Sequence, residues 1–236
     1  MASPKYIDIF EQLRTRCQSL ATGVKFPPER ALAEEFSVSV MTMRHALSLL
    51  VDQGWVQRTA GSGTFVSRPT IFMGPSLTSF TQDMTARGFT PSSRVLRAEM
   101  VTPDLVTIKR LSLRPGAKAF LLERLRSADG EPMCHEVALF PEHIGKLFHK
   151  VNLEGSIHGV LASHDIVPRS TQRSVRTVMA SDRECELLAL PHESPALETV
   201  DVFSDTLGAP MQYARSRYRF DRYEVLTNIE NFSQEG

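Results

Sequence analysis

Near the start of the chain, apolar positions recur at helical spacing. Tyr6, Ile9, Phe10, Leu13, Cys17 and Leu20 predict an amphipathic helix over residues 5–21. Gly23 and Phe26-Pro27-Pro28 end it, because proline lacks an N–H and restrains its predecessor. Pro28 can open a second helix over residues 28–36, whose stripe is Leu32, Ala33 and Phe36. After a turn at Ser37-Val38, Met43, Ala46, Leu47, Leu50 and Val51 form one face of a third helix. Ser39 is its expected N-cap and Gly54 its left-handed stop. Two helices joined so tightly form a helix-turn-helix unit. Trp55-Val56-Gln57-Arg58 and Thr64-Phe65-Val66 alternate around a glycine-rich centre, which predicts a β-hairpin.

Residues 69–75 carry two prolines, one glycine and no periodicity, and are read as a linker between domains at 1–68 and 76–236. Beyond it the pattern mixes both periods. Helices are expected over 77–88, 104–113, 156–163 and 181–189, the last with Ser181 and Glu184 as a capping box. Strands are expected over 92–101, 117–127, 132–140, 170–179, 196–204, 210–220 and 224–229. Asp129-Gly130 marks a tight hairpin between two of them. Helices interspersed with hairpins predict an α+β two-domain protein whose second domain holds an antiparallel sheet.

Composition adds limits. The 236 residues suffice for two small domains. Charge is balanced, with 27 basic and 27 acidic residues. Up to Arg68 there are 8 basic against 6 acidic residues, and beyond it 19 against 21, an asymmetry too weak to identify a nucleic-acid binder. Cys17, Cys134 and Cys185 are widely separated, which argues against a disulfide framework and fits a reducing cytoplasm. No apolar run approaches the ~18 residues of a membrane helix, so a soluble protein with no membrane partner is expected. His135, His143, His149, His158 and His164 lack metal-ligand spacing, and neither a metal nor a cofactor is implied.

The third helix carries Thr42, Arg44, His45 and Ser48 off its apolar seam, a short hydrogen-bonding face that suits a DNA major groove. An ordinary bundle helix has the same pattern, and its neighbours decide between the two. Pro27-Pro28-Glu29-Arg30-x-Leu32-Ala33-x-x-Phe36, Val38-Ser39-x-x-Thr42-x-Arg44-x-Ala46-Leu47, Gly54-Trp55-Val56-x-Arg58 and Gly61-Ser62-Gly63-Thr64-Phe65-Val66 follow in order. Together they resemble the winged helix-turn-helix domain of the GntR family of bacterial transcription regulators over residues 5–68. The resemblance implies a homodimer on double-stranded operator DNA. It also implies DNA contacts from Arg30, from Ser39, Val40, Met41 and Thr42 at the helix start, from Arg44 and His45, and from Gly61 at the wing tip. Val40 stands where the family usually has a guanine-reading arginine. A contact of that kind discriminates by ~1–3 kcal/mol, so an altered operator is expected at that position.

A second resemblance covers residues 76–232. It rests on Leu77-Thr78-Ser79-Phe80-Thr81-x-Asp83-Met84-x-x-x-Gly88, on the segment from Glu123 to Glu136, on Gly155-Ser156-Ile157-His158-x-x-Leu161, and on Ala214-Arg215-Ser216-x-Tyr218-Arg219-x-Asp221-Arg222-Tyr223. These look like the UTRA effector domain of the HutC subfamily, which has a chorismate-lyase-like fold, and most resemble the regulators of amino-sugar use. Arg124 and Arg126 share one strand face, which makes either an anion site or a solvated face paired with Glu99 or Glu123. The resemblance implies a small anionic effector, such as N-acetylglucosamine 6-phosphate or glucosamine 6-phosphate. Ser79, Thr81 and Ser156 would complete a phosphate shell, Glu136 would accept from sugar hydroxyls, and Tyr218 would stack or hydrogen-bond. Gln212 replaces the glutamate usual in amino-sugar regulators, which leaves a non-phosphorylated carboxylate or amino-acid derivative open as effector. The lyase-like fold raises an enzyme as a competing reading, but no placed acid/base pair or nucleophile supports one.

Overall fold

The computed structural model of the protein describes residues 4–74 and 76–227. The chain divides between Ile71 and Phe72 into two compact units, within the stretch read as a linker.

The first unit contains α1 (Lys5–Ser19), α2 (Glu29–Glu35), α3 (Val40–Asp52), β1 (Val56–Thr59) and β2 (Gly63–Val66). The apolar seams meet in one core: Leu13 and Cys17 of α1, Leu32 of α2, and Met43, Ala46 and Leu50 of α3 are buried together with Phe26. Ser39 caps α3, its hydroxyl accepting from the Thr42 N–H at 3.1 Å. The α2–α3 turn needs a left-handed residue, and Ser37 takes it with φ 51°. Pro28 and Phe36 lie just outside α2 as its caps. Arg68 donates to the carbonyls of Cys17 and Leu20 at 2.9 and 2.7 Å, where a cation complements the exposed acceptors of a helix C-terminus.

The second unit begins within β3 (Ile71–Met73), which arises inside the expected linker. Its Met73 carbonyl accepts from Leu226 N–H beside the short strand near the end of the chain. Then follow α4 (Phe80–Ala86), β4 (Pro91–Val101), α5 (Leu105–Arg110), β5 (Ala119–Ala128), β6 (Glu131–Pro141), α6 (Glu142–Gly145), a 3₁₀ turn (Lys146–Lys150) and α7 (Ile157–Ala162). The remainder is β7 (Ser170–Met179), α8 (Asp182–Leu188), β8 (Pro195–Ser204), β9 (Pro210–Arg219) and β10 (Tyr223–Val225). Of the last strand expected over 224–229, positions 228 and 229 lie outside the described residues. The helix at α6 and the 3₁₀ turn were not expected, because His143, Lys146, His149 and Lys150 interrupt any apolar period.

Six strands form one antiparallel sheet in the order β4-β5-β6-β9-β8-β7. Two hairpins, β5–β6 and β8–β9, meet along β6–β9 at its centre. Asp129 and Gly130 both have positive φ, as the two-residue turn requires. One sheet face packs Leu122, Ala138, Phe140 and Ala214 against Ile144, Phe148, Ile157 and Leu161 of the covering helices. The other packs Leu125 and Ala196 against Cys185 and Leu188 of α8. Among the described residues no helix is long and apolar enough to cross a membrane.

The approach of α6 to β5 depends on Gly145. A Cβ there would lie 3.1 Å from Phe120 Cγ and closer still to its Cβ, and Phe120 is itself packed on Phe148. Gly145→Ala is expected to destabilise the protein by about 1–3 kcal/mol through overpacking. Gly155→Ala, whose added carbon meets Asn152 O at 3.6 Å, serves as the control and is expected to unfold at nearly the wild-type urea concentration.

Candidate functional site

The first unit presents a surface depression where the α2–α3 turn meets the start of α3. Arg30, Ser39, Val40 and Thr42 line it together, and Lys5, which carried no sequence signal of its own, joins them. Val40 and Met41 are 39% and 56% exposed, so neither is spent on the core. The Ser39 and Thr42 hydroxyls lie 2.8 Å apart and share a hydrogen bond. Other candidates turn elsewhere. Arg44 donates to Glu29 Oε1 through Nε at 3.0 Å and Nη2 at 2.9 Å. An exposed pair of this kind contributes only ~0–1 kcal/mol, so a phosphate can displace it. His45 sets its ring edge-on to Tyr6 at 6.0 Å. Gly61 sits in the hairpin turn at φ 74° with open space where a Cβ would stand. Near it the Lys25 side chain comes within 3.0 Å of a Cβ built on Gly63, which places a basic residue at the wing.

The second unit holds an open pocket on the sheet face opposite α8. Alternation builds it. Arg124 and Arg126 point inward from β5, Glu136 from β6, Gln212, Ser216 and Tyr218 from β9, and Asp201 and Phe203 from β8. Register brings these strands' residues side by side: Arg124 pairs with Glu136, Glu136 with Ser216, and Phe203 with Gln212. Ser79 and Ser156 close the rim from the caps of α4 and α7.

Arg124 and Arg126 are each only 3% exposed, so the solvated-face reading fails. Glu123 lies on the other face, where it meets His135 at 2.9 Å and Arg183 at 2.7 Å, and Glu99 pairs with Arg97. Arg124 donates to Glu136 Oε1 through Nε at 3.1 Å and Nη2 at 2.5 Å, and through Nη1 to the carbonyls of Leu153 and Gly155. Arg126 donates to both Glu136 oxygens at 3.3 and 3.4 Å and to Thr81 Oγ1 at 3.1 Å, with its guanidinium 4.6 Å from the Phe80 ring centroid. Its buried Nε has no protein partner.

Several expected roles change as a result. Glu136 is the counter-ion of the two arginines, and its Oε1 is already occupied by them. Thr81 positions Arg126 and does not line the pocket. The Ser79 and Ser156 hydroxyls cap α4 and α7, accepting from Gln82 and Gly159 N–H at 3.2 Å each. Tyr218 lines the pocket and packs its ring on Tyr223 at 4.6 Å. Gln212 Oε1 meets His158 Nε2 at 2.9 Å.

His158, Arg173 and Asp201 belong to the pocket and were missed. For Arg173 and Asp201 the signal is register: they pair across the sheet, Arg173 donates to Asp201 at 2.6 Å, and Asp201 also accepts from Thr199, whereas His158 is brought in by the seating of α7. Burial alone would push the Glu136 carboxyl up, but the two guanidiniums outweigh it and hold it at about 2. Burial lowers the Arg124 pKa, an effect Glu136 opposes. Burial likewise holds the His158 imidazole below its ordinary value, despite the Gln212 hydrogen bond. It also pushes the Cys134 thiol far up, which removes it as a nucleophile. Among the described residues no His, Cys, Asp and Glu group has the arrangement to hold a metal ion.

Residues 5–66 match the bacterial regulatory proteins of the gntR family, and residues 86–224 match the UTRA domain. The chain is 31% identical over 236 residues to the HTH-type transcriptional repressor NagR of Bacillus subtilis, covering 98% of this chain and 96% of that one. It is 28% identical over 224 residues to the HTH-type transcriptional regulator GgaR of Escherichia coli K12, covering 94% and 89%. Among solved structures, PhnF from Mycobacterium smegmatis superimposes with a TM-score of 0.74 at 27% identity, covering 94% of this chain and 99% of that one.

Removing the charge between the arginines gives a test with a pH signature. Glu136→Gln is expected to cost about 3–5 kcal/mol at neutral pH, because two buried cations lose their shared partner. The folded carboxyl titrates at about 2, below its ordinary 4.5, so its stabilising effect is complete above about 4.5 and is lost as pH falls through about 2. Urea unfolding of wild type and variant should therefore converge across that window. Stabilities that stay equally far apart throughout it would exclude this role for the carboxylate.

Proposed function

The chain belongs to the GntR family of bacterial regulatory proteins and carries a UTRA domain, and on that premise we propose that it is a repressor whose hold on DNA is set by a small anion. It is a transcriptional regulator. Residues 1–68 read DNA, 69–75 link, and 76–236 bind effector and dimerise. Two copies present their α3 helices to successive major-groove half-sites of a two-fold operator. Arg30, Ser39, Met41, Thr42 and Arg44 contact DNA from the helix-turn-helix, and Gly61 lets the wing approach a phosphate. His45 stands at the α1 edge of this surface. Val40 offers a methyl-bearing side chain suited to thymine.

The observation that carries the effector reading is the buried Arg124–Arg126 pair, which shares one carboxylate and leaves a buried guanidinium N–H unpartnered. A pocket with that donor surplus suits an anion. N-acetylglucosamine 6-phosphate and glucosamine 6-phosphate are the leading candidates, in keeping with the similarity to a repressor over nearly the whole chain. The neutral His158–Gln212 pair keeps a small carboxylate as the second reading. Binding in the second domain biases the spacing of the DNA heads, and coupling of this kind is typically ~1–3 kcal/mol, a 5–150-fold change in operator affinity.

Two experiments test this. Arg30→Ala is expected to weaken operator binding across sequences and to lower the salt slope by about one, whereas Val40→Arg should move base preference at one position of each half-site towards guanine by ~1–3 kcal/mol. Selection from random DNA with both proteins reads the outcome, and an unchanged preference in Val40→Arg would remove Val40 from the reading surface. For the effector, a thermal-shift screen of sugar phosphates and small carboxylates should find an anion that stabilises wild type and releases DNA. Arg126→Lys should weaken that anion at least about tenfold, because the planar fork is lost. Release of DNA by an uncharged compound alone would sink the anion reading.

A further inference from the structure

The pocket lining contains two carboxylates among the described residues, and each is already engaged. Glu136 is held by Arg124 and Arg126, and Asp201 by Arg173 and the Thr199 hydroxyl. Three guanidiniums therefore face two carboxylates, a local surplus of one positive charge. An incoming anion balances that surplus. A ligand ammonium would add to it and would find no carboxylate free to receive it, and a charge buried without a partner is strongly disfavoured.

Gln212 lies four residues along β9 from Ser216, which stands opposite Glu136. That is roughly 13 Å along the strand from Ser216, but the His158 imidazole itself lies near enough to Glu136, Arg124 and Arg126 to feel their charges. Gln212 is buried, and its Oε1 meets His158 Nε2, whose ring stands edge-on to Phe203 at 5.2 Å. Burial keeps this imidazole in its neutral form. A neutral imidazole donating from Nε2 keeps a lone pair on Nδ1, and the glutamine keeps its amide N–H donors. The pair is thus uncharged and offers both a donor and an acceptor, the complement of an amide or a hydroxyl.

We infer that the effector is an anion without a cationic group: its anionic group meets Arg124 and Arg126, and the His158–Gln212 pair beside them selects an uncharged amide or hydroxyl and rejects a free amine. This rests on the reading of the pocket as an anion-effector site. Within that reading it separates two compounds treated above as equivalent, favouring the N-acetylated sugar phosphate over the free amino sugar phosphate. The same rule applies to carboxylate effectors.

The test is isothermal titration of the protein at neutral pH with matched pairs: N-acetylglucosamine 6-phosphate against glucosamine 6-phosphate, and 4-acetamidobutanoate against 4-aminobutanoate, with glucose 6-phosphate as the hydroxyl case. Within the series that binds, the member lacking an ammonium group should bind at least about tenfold more tightly than the amine. Gln212→Glu supplies the missing carboxylate beside His158 and should cut that preference about tenfold or reverse it. An amine that binds wild type as tightly as its acetylated partner overturns the inference while leaving the anion site standing. A preference that Gln212→Glu leaves unchanged overturns the role of the pair. If no compound of either series binds, while a screen finds an uncharged effector, the anion reading itself fails and this inference with it. The wild-type ratio stands as a test even if the variant does not fold.

Discussion

Two guanidiniums buried side by side on one strand repel each other and give up their hydration. Neither cost is tolerable unless something negative sits between them. In this protein Glu136 does, from the neighbouring strand, and most of the second unit's pocket is arranged around that contact. It requires the β5–β6 register that sets Arg124 against Glu136. It also requires the Leu153–Gly155 loop, whose carbonyls take the rest of the Arg124 donors, and Thr81 and Phe80 of α4, which hold Arg126. One carboxylate can neutralise only one of the two cations, so the cluster keeps a net positive charge and an unspent donor. The same arrangement that makes the arginines tolerable makes the pocket receptive to an anion.

The sheet's two faces show how alternation separates chemistries that are adjacent in sequence. Glu123 and Arg124 are neighbours, as are Cys134 and His135, yet each pair is split by the sheet. Arg124 and Cys134 face the pocket side. Glu123 and His135 face α8, within a second ionic network that also includes Glu184 and Arg217. That network is closed, with acids and bases meeting one another under the helix. The pocket network is open, with three guanidiniums facing two carboxylates.

The first unit uses a smaller version of the same device. Arg44 rests on Glu29 in an exposed pair that contributes little to stability and leaves the guanidinium oriented and easily released. Ser39 and Thr42 spend their hydroxyls on each other and on the α3 cap, so part of the polar surface at the helix start is already ordered. Val40 and Met41 add exposed apolar side chains at that same end, the kind of surface that meets thymine methyls.

The three N-terminal helices, the hairpin and most strands of the second unit were readable from sequence, because each is set by local periodicity, caps and turn residues. Ser39, Ser181 with Glu184, Gly54 and Asp129-Gly130 act within a few residues of themselves, and each does in the fold what its neighbours dictate. The shared face of Arg124 and Arg126 was legible for the same reason. Whether that face meets water or a pocket was not, because it depends on which strand lies alongside. Glu136, Gln212, His158, Asp201 and Arg173 come from five separate elements, and only the pairing of β6 with β9, β9 with β8 and β8 with β7, and the seating of α7, brings them together. The roles of Ser79, Thr81, Ser156 and Glu136 shifted for that reason: a side chain's type is local, but its partners are chosen by the packing of distant segments. The sequence by itself determined the elements and the chemical groups they carry; the tertiary structure decided which charges neutralise each other and which one is left for a ligand.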